Sequence, residues 1–401
     1  MRVTMIGGGM IAHDQILPSL FQLQRKGVIE SIEICDQRAS ALDALASAPK
    51  LNAAFPGQSF RPRTEPYSEV LAGLPPGQLV VVCVPDHLHY DAVMSALDNG
   101  QNVLCVKPLV LKAAQAHEVE SKARQKGLMV AIEYHKRFDD RSHMARQRYR
   151  AGLFGEFKLG TANLLEKWYY RYSNFQNWFT TDATDAFTYI GCHYVDLVHF
   201  ITGLLPTAVS VYGIKDKFPN GKEGYLWTDA RVIWSNGACL NVQNALGFPD
   251  QAPGSNTQGL TMYCSSGEKQ TGAWLNHDDR YRGVSYSLVE CPAGDGATQY
   301  AEPSPDYFQY VDHGGSGLVP VGYGYRSVEY IVERAIELES VNRTLDERRA
   351  VLEQWDSRGI MATPANSRFN ELVVEAARLS ITNGGRMAAI EYAPVAGVKL
   401  A

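Results

Sequence analysis

This 401-residue sequence lacks the features that mark several specialised protein classes. No basic cluster stands out and the formal net charge is -5, so neither a nucleic-acid nor a membrane-surface partner is expected. No apolar run reaches the roughly 18 residues that a membrane helix needs. The chain goes directly from its first residues into an apolar strand pattern, so we expect no signal peptide. No internal repeat or low-complexity segment is evident.

Cysteine usage argues against a disulfide framework. The seven cysteines are scattered, their number is odd, and no CxxC occurs. Several lie in apolar, strand-like runs, which predicts buried, reduced thiols in a cytoplasmic protein. No metal site is predicted either. His193 and Asp196 are possible ligands, but no cysteine or second histidine has the spacing of a zinc site.

What remains is a globular composition, with 45% hydrophobic and 20% charged residues. The length favours two domains, and we place them at residues 1–134 and 135–401. Strand and helix patterns alternate in the first, which predicts a doubly wound parallel sheet. Strand patterns dominate after residue 206, which predicts an α/β second domain with a large, mostly antiparallel, open-faced sheet. MAAIEY, residues 387–392, is predicted to be the last strand.

A glycine-rich turn follows the first apolar strand, in VTMIGGGMIA at residues 3–12. It fits the G-x-G-x-x-G/A pattern, in which glycines allow a tight turn and close approach of a pyrophosphate to the helix that follows. Taken alone, the motif fits an ordinary structural turn equally well. As a nucleotide site, it predicts cofactor contacts from Gly7, Gly9, Met10, Ile11 and Ala12.

A carboxylate ends the second predicted strand, SIEICD, at Asp36. At this distance from the glycine turn, an acidic residue is placed to bind the ribose hydroxyls of the adenosine. The same charge repels a 2′-phosphate, so NAD is favoured over NADP. Arg38 leaves the alternative open, since a guanidinium two residues later can pack on the adenine or bind a phosphate.

QLVVVCVP, residues 78–85, is predicted to be a third apolar strand, and Lys107 follows a fourth, in NVLCVKP at residues 102–108. It is either an ordinary solvated cation at a strand end or a functional group. In parallel sheets, ligands bind beyond the carboxyl ends of the strands. Because Asp36, Pro85 and Lys107 all lie at such ends, we expect Lys107 to point into the cofactor crevice.

Five further segments resemble, in order and spacing, motifs of the Gfo/Idh/MocA oxidoreductases, which include glucose–fructose oxidoreductase and inositol dehydrogenase. They are VPDHLH (84–89) for T-P-N-x-x-H, VKP (106–108) for E-K-P, HKRF (135–138) for N-R-R-F, AGLFGEF (151–157) for G-x-I-G-x-I, and YIGCHYVD (189–196) for D-x-G-x-H-x-x-D. Among the departures from the family pattern, Asp86 replaces asparagine, Val106 replaces glutamate and Tyr189 replaces aspartate.

The resemblance implies a Rossmann domain that binds NAD, with Pro85, Asp86, His89 and Lys107 among the cofactor contacts. It implies Lys107 and His193 as the catalytic pair, with Tyr189 beside them. It also implies homodimers or homotetramers formed through the open face of the second domain's sheet, which needs a cover. We expect substrate contacts from the pair and from five other residues, namely His135, Arg137, Trp178, Asp185 and Tyr189.

A helix is predicted from Asp182 to Thr202, ended by Gly203. One stripe of side chains at helical spacing is apolar and consists of Phe187, Ile190, Tyr194, Leu197 and Ile201. A second stripe carries Asp185, Tyr189, His193 and Asp196. The second stripe is either a substrate-facing wall or a structural network of hydrogen bonds. The aromatic segment EKWYYRYSNFQNWF, residues 166–179, likewise suits either the apolar faces of a sugar ring or a core or subunit interface.

These patterns predict an NAD-dependent dehydrogenase that acts on a secondary hydroxyl of a sugar, glycoside or polyol. His193 is expected to take the hydroxyl proton, because imidazole titrates near neutral pH. Lys107 is expected to stabilise the developing alkoxide, and Tyr189 to orient the substrate or join the proton relay. Two alternatives are a glycoside-processing enzyme that oxidises C3 and then eliminates the aglycone, and a non-catalytic sensor of NAD and sugar.

Overall fold

The computed structural model describes residues 1–252, 254, 256–267, 271–278, 285–289, 297–301 and 306–401. Its contacts divide the chain into unit 1, with Met1–Phe138 and Phe308–Glu371, and unit 2, with Asp139–Tyr307 and Leu372–Ala401. None of the helices in the described part of the chain combines the length and apolar character that a membrane crossing requires.

The amino-terminal part of unit 1 alternates strands and helices as the sequence predicts. Its strands are β1 (Arg2–Ile6), β2 (Ser31–Cys35), β3 (Arg61–Arg63), β4 (Leu79–Val82), β5 (Asn102–Val106) and β6 (Val130–Glu133). Its α-helices are α1 (Leu17–Arg25), α2 (Ala39–Ala46), α3 (Pro49–Ala54), α4 (Tyr67–Ala72), α5 (His89–Asp98) and α6 (Ala113–Lys126). A π-helical segment, Ala12–Ile16, and short 3-10 helices at Asp86–Leu88 and His135–Phe138 complete it.

These six strands form one parallel sheet in the order β3-β2-β1-β4-β5-β6. This is the order of a doubly wound dinucleotide-binding fold. Strands β4 and β5 are buried along their whole length, which explains their uninterrupted apolar sequences. Because all six strands run the same way, their carboxyl ends share one edge, where β1, β2, β4 and β5 are followed by the glycine turn, Asp36, Pro85 and Lys107.

Unit 2 begins with α7 (Asp140–Arg150) and β7 (Glu156–Lys167). After a 3-10 helix, Trp168–Tyr172, come α8 (Phe175–Trp178), a π-helical segment (Phe187–Gly191) and α9 (Cys192–Thr202). The strands that follow are β8 (Pro206–Lys217), β9 (Glu223–Trp234), β10 (Cys239–Phe248), β11 (Asn256–Ser266), β12 (Thr271–Asp278), β13 (Ser285–Val289) and β14 (Ala297–Ala301).

The chain then supplies the second part of unit 1 and ends in unit 2. The elements are β15 (Gln309–Val311), β16 (Val319–Val321), α10 (Tyr323–Glu339), α11 (Leu345–Arg358), α12 (Pro364–Ser367), α13 (Phe369–Thr382), β17 (Ala388–Glu391) and β18 (Gly397–Leu400). The strand predicted as the last, β17, is therefore followed by one more, and the two pair as a hairpin.

Residues Phe308–Glu371 group with unit 1, whereas the sequence-based division assigns everything after residue 134 to the second domain. The physical reason lies at the start of α10. The Ser327 hydroxyl donates to the Glu133 carboxylate at the end of β6 over 2.6 Å, and the Gln15 amide donates to both Glu133 and the Gly324 carbonyl. These bonds join positions 118 to 309 residues apart, which no local pattern reveals.

The main sheet of unit 2 has eight strands in the order β12-β11-β7-β10-β9-β8-β17-β18. Only the β10–β7 pair is parallel, so the predicted large, mostly antiparallel sheet is confirmed. Along β9 and β11 buried residues alternate with more exposed ones. This alternation shows a sheet with one face on the core and one open face.

The helix predicted over 182–202 is shorter than expected. It begins around Ala186 with the π-helical segment, continues as α9 and ends at Gly203, whose φ of 78° is left-handed. Asp185 precedes the helix and accepts hydrogen bonds from the backbone N–H and hydroxyl of Thr188, at 2.8 and 2.9 Å. The sequence pattern treated this capping residue as part of the helix.

Asp139 joins α7 to the edge strand β12. Its buried carboxylate accepts from the Arg141 guanidinium at 2.6 Å and lies 3.1 Å from Nε2 of the buried His277. Burial acts to raise the pKa of Asp139, but the hydrogen bonds from His277 and Arg141 prevail and hold the pKa well below its ordinary value. The charged carboxylate therefore stabilises the fold above its unfolded pKa of about 4, and this stabilisation is lost as pH falls towards the lowered pKa.

We expect Asp139→Asn to lower the free energy of unfolding by about 3 kcal/mol at neutral pH, because it removes the buried carboxylate charge that accepts from Arg141 and lies beside the buried His277. Denaturant unfolding measures the change. The same assay at pH below about 4 should show a smaller difference. Glu156→Gln is the control, since it removes an exposed carboxylate that pairs with Lys158 and should change the free energy of unfolding far less, because exposed ion pairs contribute little. Equal effects of the two substitutions would contradict the role of Asp139.

Candidate functional site

The glycine turn at the carboxyl edge of the parallel sheet leaves open space for a ligand. Gly7 has a φ of 102°, and a Cβ there would lie 2.7 Å from the Cys83 carbonyl oxygen, so only glycine fits. A Cβ built on Gly9 would meet nothing within 4 Å. The turn leads through the half-buried Met10 and Ile11 to the buried Ala12, where the π-helical segment begins. A dinucleotide pyrophosphate fits this open position at the amino end of the helical segment.

Asp36 and Arg38 form a closed ion pair beside the turn. The carboxylate of Asp36 accepts from the Gly8 N–H at 3.0 Å, from the Arg38 N–H at 3.0 Å, and from Arg38 Nε and Nη2 at 3.1 and 3.0 Å. A carboxylate can accept about four hydrogen bonds, so these four bonds occupy all of its acceptor positions. Burial acts to raise the pKa of Asp36, but the bonds from Arg38 and Gly8 lower it below its ordinary value. Asp36 thus also holds the glycine turn, a role that the sequence did not indicate.

A ribose can reach Asp36 only after Arg38 moves away. The Arg38 side chain is more than half exposed, and exposed ion pairs contribute only about 0–1 kcal/mol, so this movement costs little.

Lys107 follows β5 directly, next to the loop that follows β4. The two loops are tied by the buried His89, whose ring nitrogens lie 2.7 Å from the Pro108 carbonyl oxygen and 2.8 Å from that of Val84. Asp86 is buried at the start of the 3-10 helix before α5, and Lys107 acts electrostatically on its carboxylate. The structure thus brings Asp86, His89 and Lys107 together at the edge where Asp36 and the glycine turn also lie.

His135 and Arg137 belong to the 3-10 helix after β6. Nδ1 of His135 lies 3.1 Å from the Glu133 carboxylate, the same buried group that binds Gln15 and Ser327. Arg137 is buried and donates to the Asn366 side chain over 3.2 Å. Glu133 was missed by the sequence reasoning, although a carboxylate ending an apolar strand was the signal that singled out Asp36.

In unit 2, the helix that carries His193 is pressed against β10. A Cβ on Gly191 would lie 2.5 Å from the Asn244 side-chain oxygen and 2.6 Å from the Phe187 ring, so glycine is required there. His193 and Asp196 are both buried, as is the apolar stripe of the same helix. The π-helical segment just before His193 is a rare feature that often occurs at functional sites.

Tyr189 lies in a group of aromatic rings in unit 2. Its ring centroid is 5.0 Å from that of Phe175, 5.7 Å from Trp178 and 5.8 Å from Phe179, with edge-to-face geometry. The structure therefore places Trp178, another predicted substrate contact, beside Tyr189. Asp185 is fully buried as the cap of Thr188, and burial raises its pKa while the bonds from Thr188 act in the opposite direction.

Arg171 anchors the aromatic segment and was not identified from the sequence. The buried guanidinium donates to the Leu246 carbonyl and to the Asp216 carboxylate, both over 2.6 Å, and lies 3.7 Å from the centre of the Trp168 ring. Its partners are 75 and 45 residues away, so the sequence showed only the aromatic residues around it.

Among the described residues, no group of three or more histidine, cysteine, aspartate or glutamate side chains is arranged to hold a metal ion.

Comparison with known proteins identifies the amino-terminal third. Residues 1–134 match the Gfo/Idh/MocA family, described as an oxidoreductase family with an NAD-binding Rossmann fold. The chain is 30% identical over 167 residues to D-glucoside 3-dehydrogenase of Escherichia coli strain K12, which is 42% of this chain and 44% of that protein. It is 28% identical over 145 residues to the rhizopine catabolism protein MocA of Rhizobium meliloti, 36% of this chain and 44% of that protein. The chain thus spans less than half the length of these curated relatives.

Solved structures are similar over nearly the whole chain. GenD2 from gentamicin A biosynthesis, in complex with NAD, has a TM-score of 0.69 at 16% identity and covers 98% of this chain and 97% of its own. Scyllo-inositol dehydrogenase from Lactobacillus casei, with NAD(H) and scyllo-inositol, has a TM-score of 0.64 at 13% identity. The match covers 97% of this chain and 98% of that protein's chain. At these identities the similarity establishes the shared fold of both units.

Proposed function

We propose that this chain, whose residues 1–134 match the Gfo/Idh/MocA oxidoreductase family with its NAD-binding Rossmann fold, is an NAD-dependent dehydrogenase. Its substrate in this proposal is a secondary hydroxyl of a sugar, glycoside or polyol, which it oxidises or, in the reverse direction, reduces. The relative that acts as a D-glucoside 3-dehydrogenase supports a glycoside among these classes.

One observation carries the proposal. The carboxyl edge of the parallel sheet combines the open position at Gly9, the carboxylate of Asp36 and the cation of Lys107. The first two suit a dinucleotide, and the third suits a reacting oxygen beside it. A purely structural turn needs neither a strand-end lysine nor open space at Gly9.

The proposed chemistry assigns proton handling to the protein. When bound, NAD exchanges a hydride with the carbon that carries the hydroxyl. His193 takes the hydroxyl proton as general base, and Lys107 donates a hydrogen bond to the same oxygen and stabilises its developing negative charge. Tyr189 and Trp178 shape the place where the substrate binds, and Tyr189 orients the substrate or joins the proton relay. His135, Arg137 and Asp185 are proposed to support substrate binding.

The test is a panel of sugars, glycosides and inositols incubated with NAD, with NADH formation followed by absorbance. Turnover of at least one member supports the proposal. If NAD and a sugar bind in calorimetry but no member of the panel is oxidised or, with NADH, reduced, a sensor replaces the enzyme as the better explanation.

A second candidate is a glycoside-processing enzyme, favoured by the glucoside 3-dehydrogenase relative. Oxidation at C3 makes the C–H at C2 acidic, so the aglycone can leave C1 by elimination. Water would then add to the unsaturated keto-sugar, and the C3 carbonyl would be reduced by NADH, which returns the cofactor to NAD. Analysis of the products distinguishes the two. Aglycone release without net NADH formation supports elimination, and accumulation of a keto-glycoside with equal NADH supports simple oxidation.

Asp36 is expected to set the preference for NAD. Asp36→Ser should weaken NAD binding by about 10- to 100-fold, because it removes charge-assisted hydrogen bonds to the ribose and to the glycine turn. The affinity for NADP should fall less than the affinity for NAD, because the variant also loses the repulsion between the carboxylate and a 2′-phosphate. Calorimetric titration with both nucleotides measures this. Arg38→Ser is the matched control and should retain the preference for NAD. Tighter binding of NADP than of NAD by the unmodified protein would assign the dominant role to Arg38.

The open face of the eight-stranded sheet is proposed to form a homodimer or homotetramer. The neighbouring residues Trp274, Tyr263 and Leu159 are paired across β12, β11 and β7, and their exposed fractions are 67%, 50% and 48%. The half-buried Cys239 and Ile233 continue this row on β10 and β9. An exposed apolar row of this length suits a second copy of the chain as its cover.

Trp274→Glu should dissociate this assembly, because it places a charge at the most exposed ring of this apolar row. We expect the dissociation constant to rise by at least about 30-fold, which corresponds to roughly 2 kcal/mol at an aromatic hot spot. A concentration series by light scattering after size exclusion measures it. Leu153→Glu, at a similarly exposed position after α7, should leave the assembly intact. A monomeric unmodified protein would show that the row has another function.

The cytoplasm is the proposed compartment. The structure describes six of the seven cysteines, and five of these six are buried. Cys291 lies outside the described residues. A set of buried thiols suits a reducing environment.

A further inference from the structure

His89 is placed between two hydrogen-bond acceptors. It begins α5 and its side chain is fully buried. Nδ1 lies 2.7 Å from the Pro108 carbonyl oxygen, and Nε2 lies 2.8 Å from the Val84 carbonyl oxygen. The ring therefore joins the loop that follows β4 to the segment that carries Lys107.

A neutral imidazole cannot satisfy this geometry. It has one N–H donor and one lone pair, whereas a carbonyl oxygen only accepts, so one carbonyl would face a lone pair at hydrogen-bond distance. Turning the ring by 180° would put C–H groups against both oxygens, and such contacts are longer, about 3.3–3.6 Å. Only an imidazolium, with a hydrogen on each nitrogen, donates to both carbonyls.

A buried imidazolium needs a negative charge nearby, because an unpaired buried ion is costly. Asp86 supplies one. It is 5% exposed, and its Oδ2 has no hydrogen-bond partner within the described part of the chain. Burial raises the pKa of Asp86, and the positive charges that act against this are His89 first, then Lys107 and His87. A further titratable group that interacts electrostatically with this carboxylate is the buried thiol of Cys105 on β5.

We propose that His89 is held as an imidazolium that donates to the Val84 and Pro108 carbonyls, that the Asp86 carboxylate is its counterion, and that this buried pair positions Lys107. The protonation state stands on the geometry of unit 1, and the positioning role rests on the proposed function. Asp86 and His89 are positioning residues here, since they act on the reaction through the Lys107 segment.

Two consequences follow from the charge pair. Removal of the Asp86 charge deprotonates His89, one of its two hydrogen bonds is lost, and a lone pair then faces a carbonyl oxygen. The segment after β5 is then held to the β4 loop by one bond instead of two, so Lys107 is less precisely placed. A displacement of a catalytic group by about 1 Å is enough to lower turnover up to about 10²-fold.

The experiment measures the ring nitrogens directly, by NMR of the full-length protein with 15N-labelled histidine. His89 is assigned by loss of its signals in His89→Gln. At neutral pH both ring nitrogens of His89 should carry a directly bonded hydrogen in the unmodified protein. In Asp86→Asn, one of the two should lose it. Asp91→Asn, an exposed aspartate on the same helix, removes the same charge and should leave both hydrogens in place.

Two further readouts test the positioning of Lys107 in Asp86→Asn. Amide hydrogen exchange at residues 107, 109 and 110 should accelerate by about 10-fold, since local opening becomes easier when a bond is lost. Turnover should fall by about 10-fold or more while amide exchange along β2, residues 31–35, is unchanged, which a general loss of structure would not produce.

A single ring N–H on His89 in the unmodified protein would overturn the imidazolium. Two retained hydrogens in Asp86→Asn would remove Asp86 as the counterion. Unchanged exchange and unchanged turnover after loss of the imidazolium would overturn the positioning role. A protein that shows the imidazolium but oxidises no substrate would refute the proposed function and leave the charge pair standing, so the two failures are distinguishable.

Discussion

Lys107→Ala should lower turnover by about 10²–10³-fold while the protein still binds NAD, because one cationic donor to the reacting oxygen is lost. The ammonium group stabilises charge that develops on the oxygen in the transition state and is absent from the bound alcohol. The loss should therefore appear in turnover more than in substrate affinity. Steady-state kinetics with the substrate found in the panel, together with calorimetric titration of NAD, measures both quantities.

Two variants sharpen this test. Lys107→Arg keeps the positive charge but replaces the compact ammonium donor by a larger, planar guanidinium group. It should therefore recover little of the turnover that Lys107→Ala loses. Lys112→Ala removes an exposed lysine a few residues further along the same segment and should be nearly silent. Turnover near normal in Lys107→Ala would return this residue to the class of ordinary strand-end cations.

His193→Gln should lower turnover by about 10²–10⁴-fold, because the general base is removed. Glutamine keeps a polar side chain of similar reach, and the buried position of His193 on α9 makes a similar volume important. The pH profile is the sharper readout. Oxidation by the unmodified protein should decline on the acidic side as the base becomes protonated. The residual activity of His193→Gln should lack that decline.

The control for this variant is His117→Gln, which replaces an exposed histidine on α6 and should change neither turnover nor its pH profile. Thermal unfolding and the circular dichroism of His193→Gln establish that the fold is intact. An acidic decline that persists in His193→Gln would show that another group takes the proton, and Tyr189 would be the next residue to replace.

Local sequence patterns were sufficient to predict the strands and helices of the amino-terminal part of unit 1. The apolar runs of β4 and β5, the positive φ of Gly7 and the left-handed end of α6 at Gly127 (φ 64°) follow from residues that are close in the chain. A buried parallel strand needs apolar residues on both faces, and a left-handed turn needs glycine. Both requirements are visible in the sequence without knowledge of the neighbouring elements.

The roles of individual polar residues were harder to predict from the sequence, because their hydrogen-bond partners are distant in sequence. Asp185 fits helical spacing with Tyr189, yet it caps the helix and is fully buried. Asp36 was expected to bind a ribose, and the structure shows that it also binds Gly8, 28 residues away. A charged side chain at a given position is compatible with several partners, and packing selects among them.

The sequence by itself therefore determined the order of strands and helices and the glycine turn at the end of β1. These depend on hydrophobic periodicity and turn chemistry over short stretches of chain. Only the tertiary structure decided that Phe308–Glu371 group with the nucleotide-binding part, that Arg171 is buried beneath the aromatic segment, and that His89 lies between two carbonyl groups. These depend on buried hydrogen bonds, whose donors and acceptors meet only when distant segments pack together.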